Sequence, residues 1–388
     1  MARHLALAAL ALALAACAHA PAVVAPPPPA ELHACPSDAG MPRMRNLTSL
    51  QLSRLMGAGW NLGNSLEAIG GETAWGNPQS SQSLMDAVKA AGFKTVRIPA
   101  SWKQYADAHD VIDPLWMSRV TQVVDAARRA GLFVVLNVHW DGGWLQPVSA
   151  KEALADARLA RFWTQIATNF RDRDDMLLFA GTNEVMVEGD YGTPKPEYVA
   201  VQNGFNQVFV DAVRATGGCN ATRHLVVQAF NTNIDHAVNF ATLPADTAAN
   251  RLMMEVHYYD PYDFTINAKS TVWQWGATAT DASATQAWAN EAHVDAQFEK
   301  MKVRFVDQGV PVILGEFGAM RRSDHPGSQA YVLAWDRTVA HSAWTHGAVP
   351  IYWDAGAPNE NHSMGLFDRR TGEQVHPEVV RALVDAAR

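Results

Sequence analysis

The chain has 388 residues, 39 acidic against 31 basic, giving a formal net charge of -8. That length can bury one large α/β core, and an acidic balance without blocks of like charge argues against nucleic acid or an anionic membrane surface as partner. Thirteen Trp and eight Tyr, many of the Trp placed in expected loops or at strand ends, offer flat apolar faces of the kind on which sugar rings pack.

At the N-terminus, Arg3 and His4 precede a Leu/Ala run from Leu5 to Ala16, short for a bilayer span and right for a signal-peptide core. Leu14-Ala15-Ala16-Cys17 then resembles a bacterial lipobox, which would make Cys17 a lipidated mature N-terminus. Cleavage after Ala18-His19-Ala20 is the alternative, disfavoured by Pro21 in the next position. Either reading predicts export, as an outer-membrane-anchored lipoprotein or as a periplasmic or extracellular protein. Residues 18–45 read as a tether, because Pro21 and the run Pro26 to Pro29 favour extended polyproline II. With Cys17 lipidated, Cys35 and Cys219 are the remaining thiols, and an oxidising compartment predicts a disulfide between them.

From residue 46 to 388 no second linker interrupts the chain, so one catalytic domain is expected there. Eight short apolar runs stand out: Met56 to Asn64, Thr95 to Ser101, Phe133 to Trp140, Leu177 to Val185, His224 to Phe230, Arg251 to Tyr259, Pro311 to Ala319 and Ala348 to Asp354. Helix-period segments separate most of them, among them Ser80 to Ala91, Met117 to Ala130, Ala155 to Arg173, Glu197 to Thr216, Glu291 to Gln308 and Ser328 to His346. A glycine stands between several of these helices and the following strand, where a helix C-terminus favours left-handed backbone. Repeated β–α units of this kind predict a (β/α)₈ barrel. A doubly wound sheet would normally carry a Gly-rich phosphate turn after its first strand, and Gly57-Ala58-Gly59-Trp60 falls inside the run and lacks the third Gly.

Barrel enzymes gather their chemistry at the C-terminal ends of the strands. Polar residues of this chain gather there too: Asn61, Asn64, Arg97, His139, Asn183, Glu184, His257, Tyr259, Glu316, Trp353 and Asp354. A lone His or Tyr at a strand end is commonly a satisfied structural group, but polar punctuation on seven strands is hard to explain that way, since each needs a partner in a half-buried setting. Glu184 and Glu316, 132 positions apart (316 minus 184), could form the acid and nucleophile that glycosidic cleavage requires.

These residues and their order resemble the family 5 glycoside hydrolases, (β/α)₈ cellulases and related endo-glycanases, over roughly residues 46–387. The resemblance rests on Gly59-Trp60-Asn61-Leu62-Gly63-Asn64, Val96-Arg97-Ile98-Pro99, Asn137-Val138-His139, Asn183-Glu184, Val256-His257-Tyr258-Tyr259, Gly315-Glu316-Phe317-Gly318 and the Trp ending the eighth run. It implies a retaining endo-β-1,4-glucanase with Glu184 as acid/base and Glu316 as nucleophile. Glu184 must be protonated to donate, whereas Glu316 must be ionised to attack. The resemblance places Arg97 and Tyr259 beside the nucleophile, His257 near the acid/base, Asn183 on the sugar 2-hydroxyl, His139 near the sugar and Trp353 under the sugar being attacked. Trp140, Trp144, Trp275 and Asn64 are further candidates for substrate contact. A second His follows the strand-three His in many family members; here that position is Trp140, which leaves the wall of a neighbouring subsite open.

Among rival acids, Glu67, Asp141, Glu188, Glu255 and Asp354 share the charge of the pair, and Glu255 reads as a buried structural partner because it shares strand parity with His257. The sequence carries no His-x-His, His-Glu-x-x-His or Gly-x-Ser-x-Gly spacing, so neither a metal centre nor a serine triad is expected, and no organic cofactor. The expected partner is a β-glucan polysaccharide or oligosaccharide; xyloglucanase, mixed-linkage glucanase and mannanase are the alternatives within the family. A non-catalytic carbohydrate-binding protein on a decayed barrel would have lost a catalytic carboxylate or its Arg and Tyr support, and all four residues are present.

Overall fold

The computed structural model describes residues 34–38 and 41–388, so the expected signal segment, Cys17 and the Pro26 to Pro29 run lie outside the described residues. Two short strands, β1 (Ser37–Asp38) and β2 (Met41–Pro42), pair antiparallel ahead of the barrel. The barrel strands are β3 (Gly59–Leu62), β4 (Thr95–Ile98), β5 (Phe133–Asn137), β6 (Leu177–Ala180), β7 (Leu225–Gln228), β8 (Leu252–Tyr258), β9 (Val312–Phe317) and β10 (Ala348–Asp354). They close in the order β10-β3-β4-β5-β6-β7-β8-β9, every pairing parallel. This is the expected (β/α)₈ barrel, built from all eight apolar runs.

Side-chain alternation sorts the interior into two layers. The lower layer is apolar: Val135, Leu178, Val226, Met253, Ile313 and Ile351 pack on Leu52 and Met56. Those last two belong to helix Ser49–Met56, started by a reciprocal Thr48–Gln51 capping box, and they seal the end of the barrel where the strands begin. The upper layer is polar and almost wholly buried: Asn61, Arg97, Asn137, Gln228, Glu255, His257 and Glu316. Outside the strands, the helices pack a second apolar layer that includes Phe162, Trp163, Phe209 and Trp335.

Several boundaries differ from expectation. The fourth run reaches Val185, yet its strand ends at Ala180, so Asn183 and Glu184 stand in the loop just beyond it. The third helix starts at Pro114, set by Asp113 accepting from Leu115 N and by proline in the first turn. Helix Ile234–Phe240 was not anticipated, because seven residues hold too few apolar positions for a period to show. Glycine at the helix ends behaves as expected, with φ of +80° at Gly131 and +88° at Gly347.

Of the segment expected as a tether over 18–45, the described C-terminal part is held against the barrel. Cys35 and Cys219 form a disulfide with Cα atoms 4.4 Å apart, as expected from the sequence. Ala34 bridges Gly218, the Arg43 guanidinium donates to Asp172 O at 2.5 Å, and Arg45 pairs with Asp175 at 2.7 Å. All these partners precede β6 or β7, so this arm lies at the closed end of the barrel.

Candidate active site

Arg97 organises the upper layer. Its fully buried guanidinium donates from Nη1 to Glu316 Oε1 (2.9 Å) and Asn61 Oδ1 (3.0 Å), and from Nη2 to Asn183 Oδ1 (2.7 Å). Nε pairs with Glu255 Oε1 at 2.9 Å. Asn61 is turned so that its amide donates to the carbonyls of Gly315, Ile351 and Tyr352, which fixes its oxygen toward Arg97. Burial opposes the charge on Arg97, but Glu255 and Glu316 more than offset it, so the guanidinium is held even more firmly protonated than usual.

Glu316 is buried and receives two donors, Arg97 Nη1 on Oε1 and the Tyr259 hydroxyl on Oε2 at 3.1 Å. Burial raises its carboxyl, and the Glu184 and Glu255 charges act the same way, while His257 and Arg97 pull it back. Burial and the Glu316 charge push the Tyr259 phenol well above its usual value, so it stays a neutral donor. Glu184 differs in setting: its side chain is 41 % exposed and one oxygen lies 2.8 Å from His257 Nδ1. One oxygen each of Glu184 and Glu316, with a His257 nitrogen, lie within 4.8 Å of one another. That closeness suits a retaining pair and leaves no room for the water that inversion places between the carboxylates.

His257 links the acids. Nδ1 faces Glu184, with Glu316 Oε2 at 3.7 Å, and Nε2 faces Glu255 Oε1 at 3.3 Å. Burial works against its charge, but Glu316, Glu184 and Glu255 together raise it from 6.5 to about 9, so the imidazolium donates on both sides at neutral pH. Glu255 is therefore the buried structural partner that strand parity suggested. It also takes Gln228 Nε2 at 2.6 Å, and burial is outweighed by Arg97 and His257, which hold its carboxyl below the usual range. A Cβ on Gly315 would lie 2.0 Å from Glu255 Oε1, so the glycine before the nucleophile makes room for this carboxylate.

His139 takes a different role. Asn137 Oδ1 accepts from Ala100 N, which turns the Asn137 amide nitrogen toward His139 Nδ1 at 3.1 Å. Burial, with Arg97 and His257 nearby, drives the His139 ring well below its usual value, so it is neutral with its proton on the other nitrogen. It lies parallel to Trp353, centroids 5.9 Å apart at 10°. Trp353 rests on Gly63, where a Cβ would meet its ring at 2.8 Å, consistent with a platform under the sugar.

Not every expected aromatic reaches the cleft. Trp140 does, at 57 % exposure and beside His139, Asn183 and Glu184. Trp144 turns inward instead, donating to Asp141 Oδ2 at 3.1 Å and packing edge-on against Phe162. Trp275 is 1 % exposed and donates to Ala289 O at 2.5 Å, a core position. In both, an indole N–H with a buried acceptor favoured packing over display. Asn64 lines a cavity away from the two glutamates, its main-chain oxygen held by Asn77 Nδ2 at 2.8 Å.

Glu188 lines the cavity beside Glu184, whereas the other rival acids, like Glu255, are held by partners of their own. Asp141 accepts from Ser101, Lys103 N and Trp144; Asp354 accepts from Trp60, Leu366 N and Arg369; Glu67 caps Asn64 N and Ser65 N. Asn61 and Gln228 are the site residues whose roles the sequence reading missed, although each is a lone polar side chain in an apolar strand. Among the described residues Glu184, His257 and Glu316 are the trio close enough to share a cation. They do not suit one, because both His257 nitrogens already face carboxylates as donors.

The family model for cellulase, glycosyl hydrolase family 5, matches residues 61–359. The chain belongs to glycosyl hydrolase family 5. It is 44 % identical over 379 residues to a xyloglucan-specific endo-β-1,4-glucanase of Bacteroides ovatus, covering 92 % of this chain and 73 % of that one. It is 39 % identical to endoglucanase A of Paenibacillus barcinonensis, covering 88 % and 90 %. A solved structure of a Bacteroides ovatus family 5 xyloglucanase in complex with a XXXG heptasaccharide superposes with a TM-score of 0.86 at 42 % identity, covering 93 % of this chain and 80 % of that one. As a family 5 enzyme the chain is a retaining endo-β-1,4-glucanase.

The arrangement can carry out a double displacement. With Glu316 as nucleophile, oriented by Arg97 and Tyr259, attack on the anomeric carbon would form a glycosyl ester while Glu184 passed its proton to the leaving oxygen. The His257 imidazolium would stabilise the Glu184 carboxylate left behind, which would take a proton from water as the water opened the ester. Asn183, held by Arg97, would present its amide toward the sugar 2-hydroxyl.

Proposed function

We propose that this endoglucanase cuts xyloglucan as well as unbranched β-1,4-glucan. The observation that carries the reading is a ridge of Glu184, Met186 and Tyr191 with a cavity of about 310 Å³ on each flank. One cavity runs past His139, Trp140 and Gln146, the other past Asn231, Tyr259 and Tyr262. A linear glucan occupies one lane through such a cleft; a second lane beside the acid/base gives space for a sugar branch on the backbone. The likeness to xyloglucan-active relatives supports the same reading. With purified enzyme on xyloglucan, carboxymethylcellulose, lichenan and mannan in parallel, the highest kcat/KM is expected on xyloglucan, with activity on the two glucans and little on mannan. Activity on mannan alone would sink the glucan reading, and activity on carboxymethylcellulose with none on xyloglucan would remove the branch lane.

The second part of the proposal is export with a lipid on Cys17, supported by the Leu14-Ala15-Ala16-Cys17 motif after the Leu/Ala run. Radiolabelled palmitate should enter the full-length protein in a bacterial host and be absent from Cys17→Ser. Equal labelling of both would refute the lipid site.

A further inference from the structure

Two neighbouring residues of the helix Ser328–Thr345, which packs outside the barrel, touch the ends of the two strands that carry Tyr259 and Glu316. Trp335 is fully buried, and its ring lies parallel to Tyr258 (centroids 6.0 Å apart, 16°) and tilted against Phe317 (6.4 Å). Tyr258 and Phe317 are the sequence neighbours of Tyr259 and Glu316, and they face outward because side chains alternate across a strand. The Trp335 indole also donates to Asp260 O at 2.9 Å, next to Tyr259. Asp336 is fully buried as well, and its Oδ1 accepts from Ala319 N at 3.1 Å, in the loop after Glu316. Burial pushes the Asp336 carboxyl well above the usual range, so a neutral acid serves as the acceptor. Between the same two loops, Thr265 Oγ1 donates to Tyr259 O at 2.5 Å and Thr265 O accepts from Met320 N at 2.9 Å.

The strand ladder alone does not fix this spacing. β8 and β9 pair regularly as far as Val256 with Leu314, then slip so that His257 faces Glu316 and Gly315 is skipped. The slip falls where the reactive groups stand, and beyond it the Tyr259 hydroxyl still meets Glu316 Oε2 at 3.1 Å. We propose that Trp335 and Asp336 are positioning residues for the nucleophile: they clamp the ends of β8 and β9 from outside, and so hold Glu316 against Tyr259 in the line of attack. Both are buried behind the strands, so neither reaches the sugar. The inference rests on Glu316 as nucleophile and holds for any β-glucan that enters the cleft.

A dinitrophenyl 2-deoxy-2-fluoro-β-cellobioside isolates the step. A Glu316 oxygen bonds to the anomeric carbon, dinitrophenolate departs with the electron pair and needs no proton, and the fluorinated ester hydrolyses slowly, so the inactivation rate reports nucleophilic attack alone. Measured below each variant's melting transition, Asp336→Leu should slow inactivation at saturation about tenfold, because small displacements of a reacting group are costly. Trp335→Phe keeps a ring on Tyr258 but loses the bond to Asp260 O, and should slow it about threefold. On unmodified substrate both should lower kcat and leave KM within about twofold. Asp336→Asn retains an acceptor for Ala319 N and should restore the rate to within about twofold of wild type. Residues with only a folding role would lower the melting temperature and leave the inactivation rate of folded enzyme unchanged. That result in either variant, or an Asn variant as slow as the Leu one, would overturn the proposal; if Asp336→Leu does not fold, Trp335→Phe decides alone. Wild-type label located by mass spectrometry away from Glu316 would overturn the nucleophile assignment and the clamp with it, whereas label on Glu316 with unchanged variant rates overturns the clamp alone.

Discussion

Glu316→Gln is expected to lower kcat by on the order of 10⁵-fold with no loss of folding stability, since removing a covalent nucleophile abolishes the double displacement. The amide keeps the shape that Arg97 and Tyr259 grip, so an unchanged melting temperature would locate the loss in chemistry. Glu184→Gln should behave differently. With a dinitrophenyl cellobioside the leaving group needs little protonation, so the glycosyl ester should form and then accumulate, because no base remains to activate water. Mass spectrometry of the quenched reaction should find the adduct on Glu316. Retention of more than about one hundredth of wild-type kcat by Glu316→Gln, against the expected scale, would remove the nucleophile assignment.

Arg97→Met should cost about 3–5 kcal/mol of stability, because it leaves the buried carboxylates of Glu255 and Glu316 without their cation. It should also lower kcat by about 10²–10³-fold as the nucleophile loses its main donor. The pH dependence of melting carries the same network. Glu255 is held below its usual value of 4.5, so its contribution is present above that pH and is lost as pH falls through the folded value. His257 is raised from 6.5 to about 9, so its contribution is complete below 6.5 and fades as pH climbs through 9. The wild type should therefore be most stable between pH 4.5 and 6.5 as far as these two groups decide, and Arg97→Met should lose most of the acid-side dependence. Calorimetry across pH 4–10 would show it; a variant melting with the wild type throughout would refute the role of Arg97.

The barrel and its two glutamates were legible in the sequence because both depend on short-range pattern. Apolar runs of strand length report burial on both faces, and Asn183-Glu184 and Gly315-Glu316 sit where those runs end. Strand parity was enough to turn Glu255 inward beside His257. What sequence could not show is which partner a side chain finds across the fold. Trp140 and Trp144 are four positions apart in the same loop, yet one faces the cleft and the other spends its N–H on Asp141. Trp275 is lost to the core through Ala289 O. Gln228 carries no sign of its partner within the run His224 to Phe230, and only the fold brings its amide to Glu255.

The disulfide at Cys35 and the Arg43 and Arg45 contacts give the enzyme a handle on its back. Whatever precedes Ala34 joins the barrel beside β6 and β7 at their beginnings, while cleavage takes place at their far ends. A force applied at Ala34 is therefore taken up where β6 and β7 begin, at the opposite end of the strands from the two glutamates.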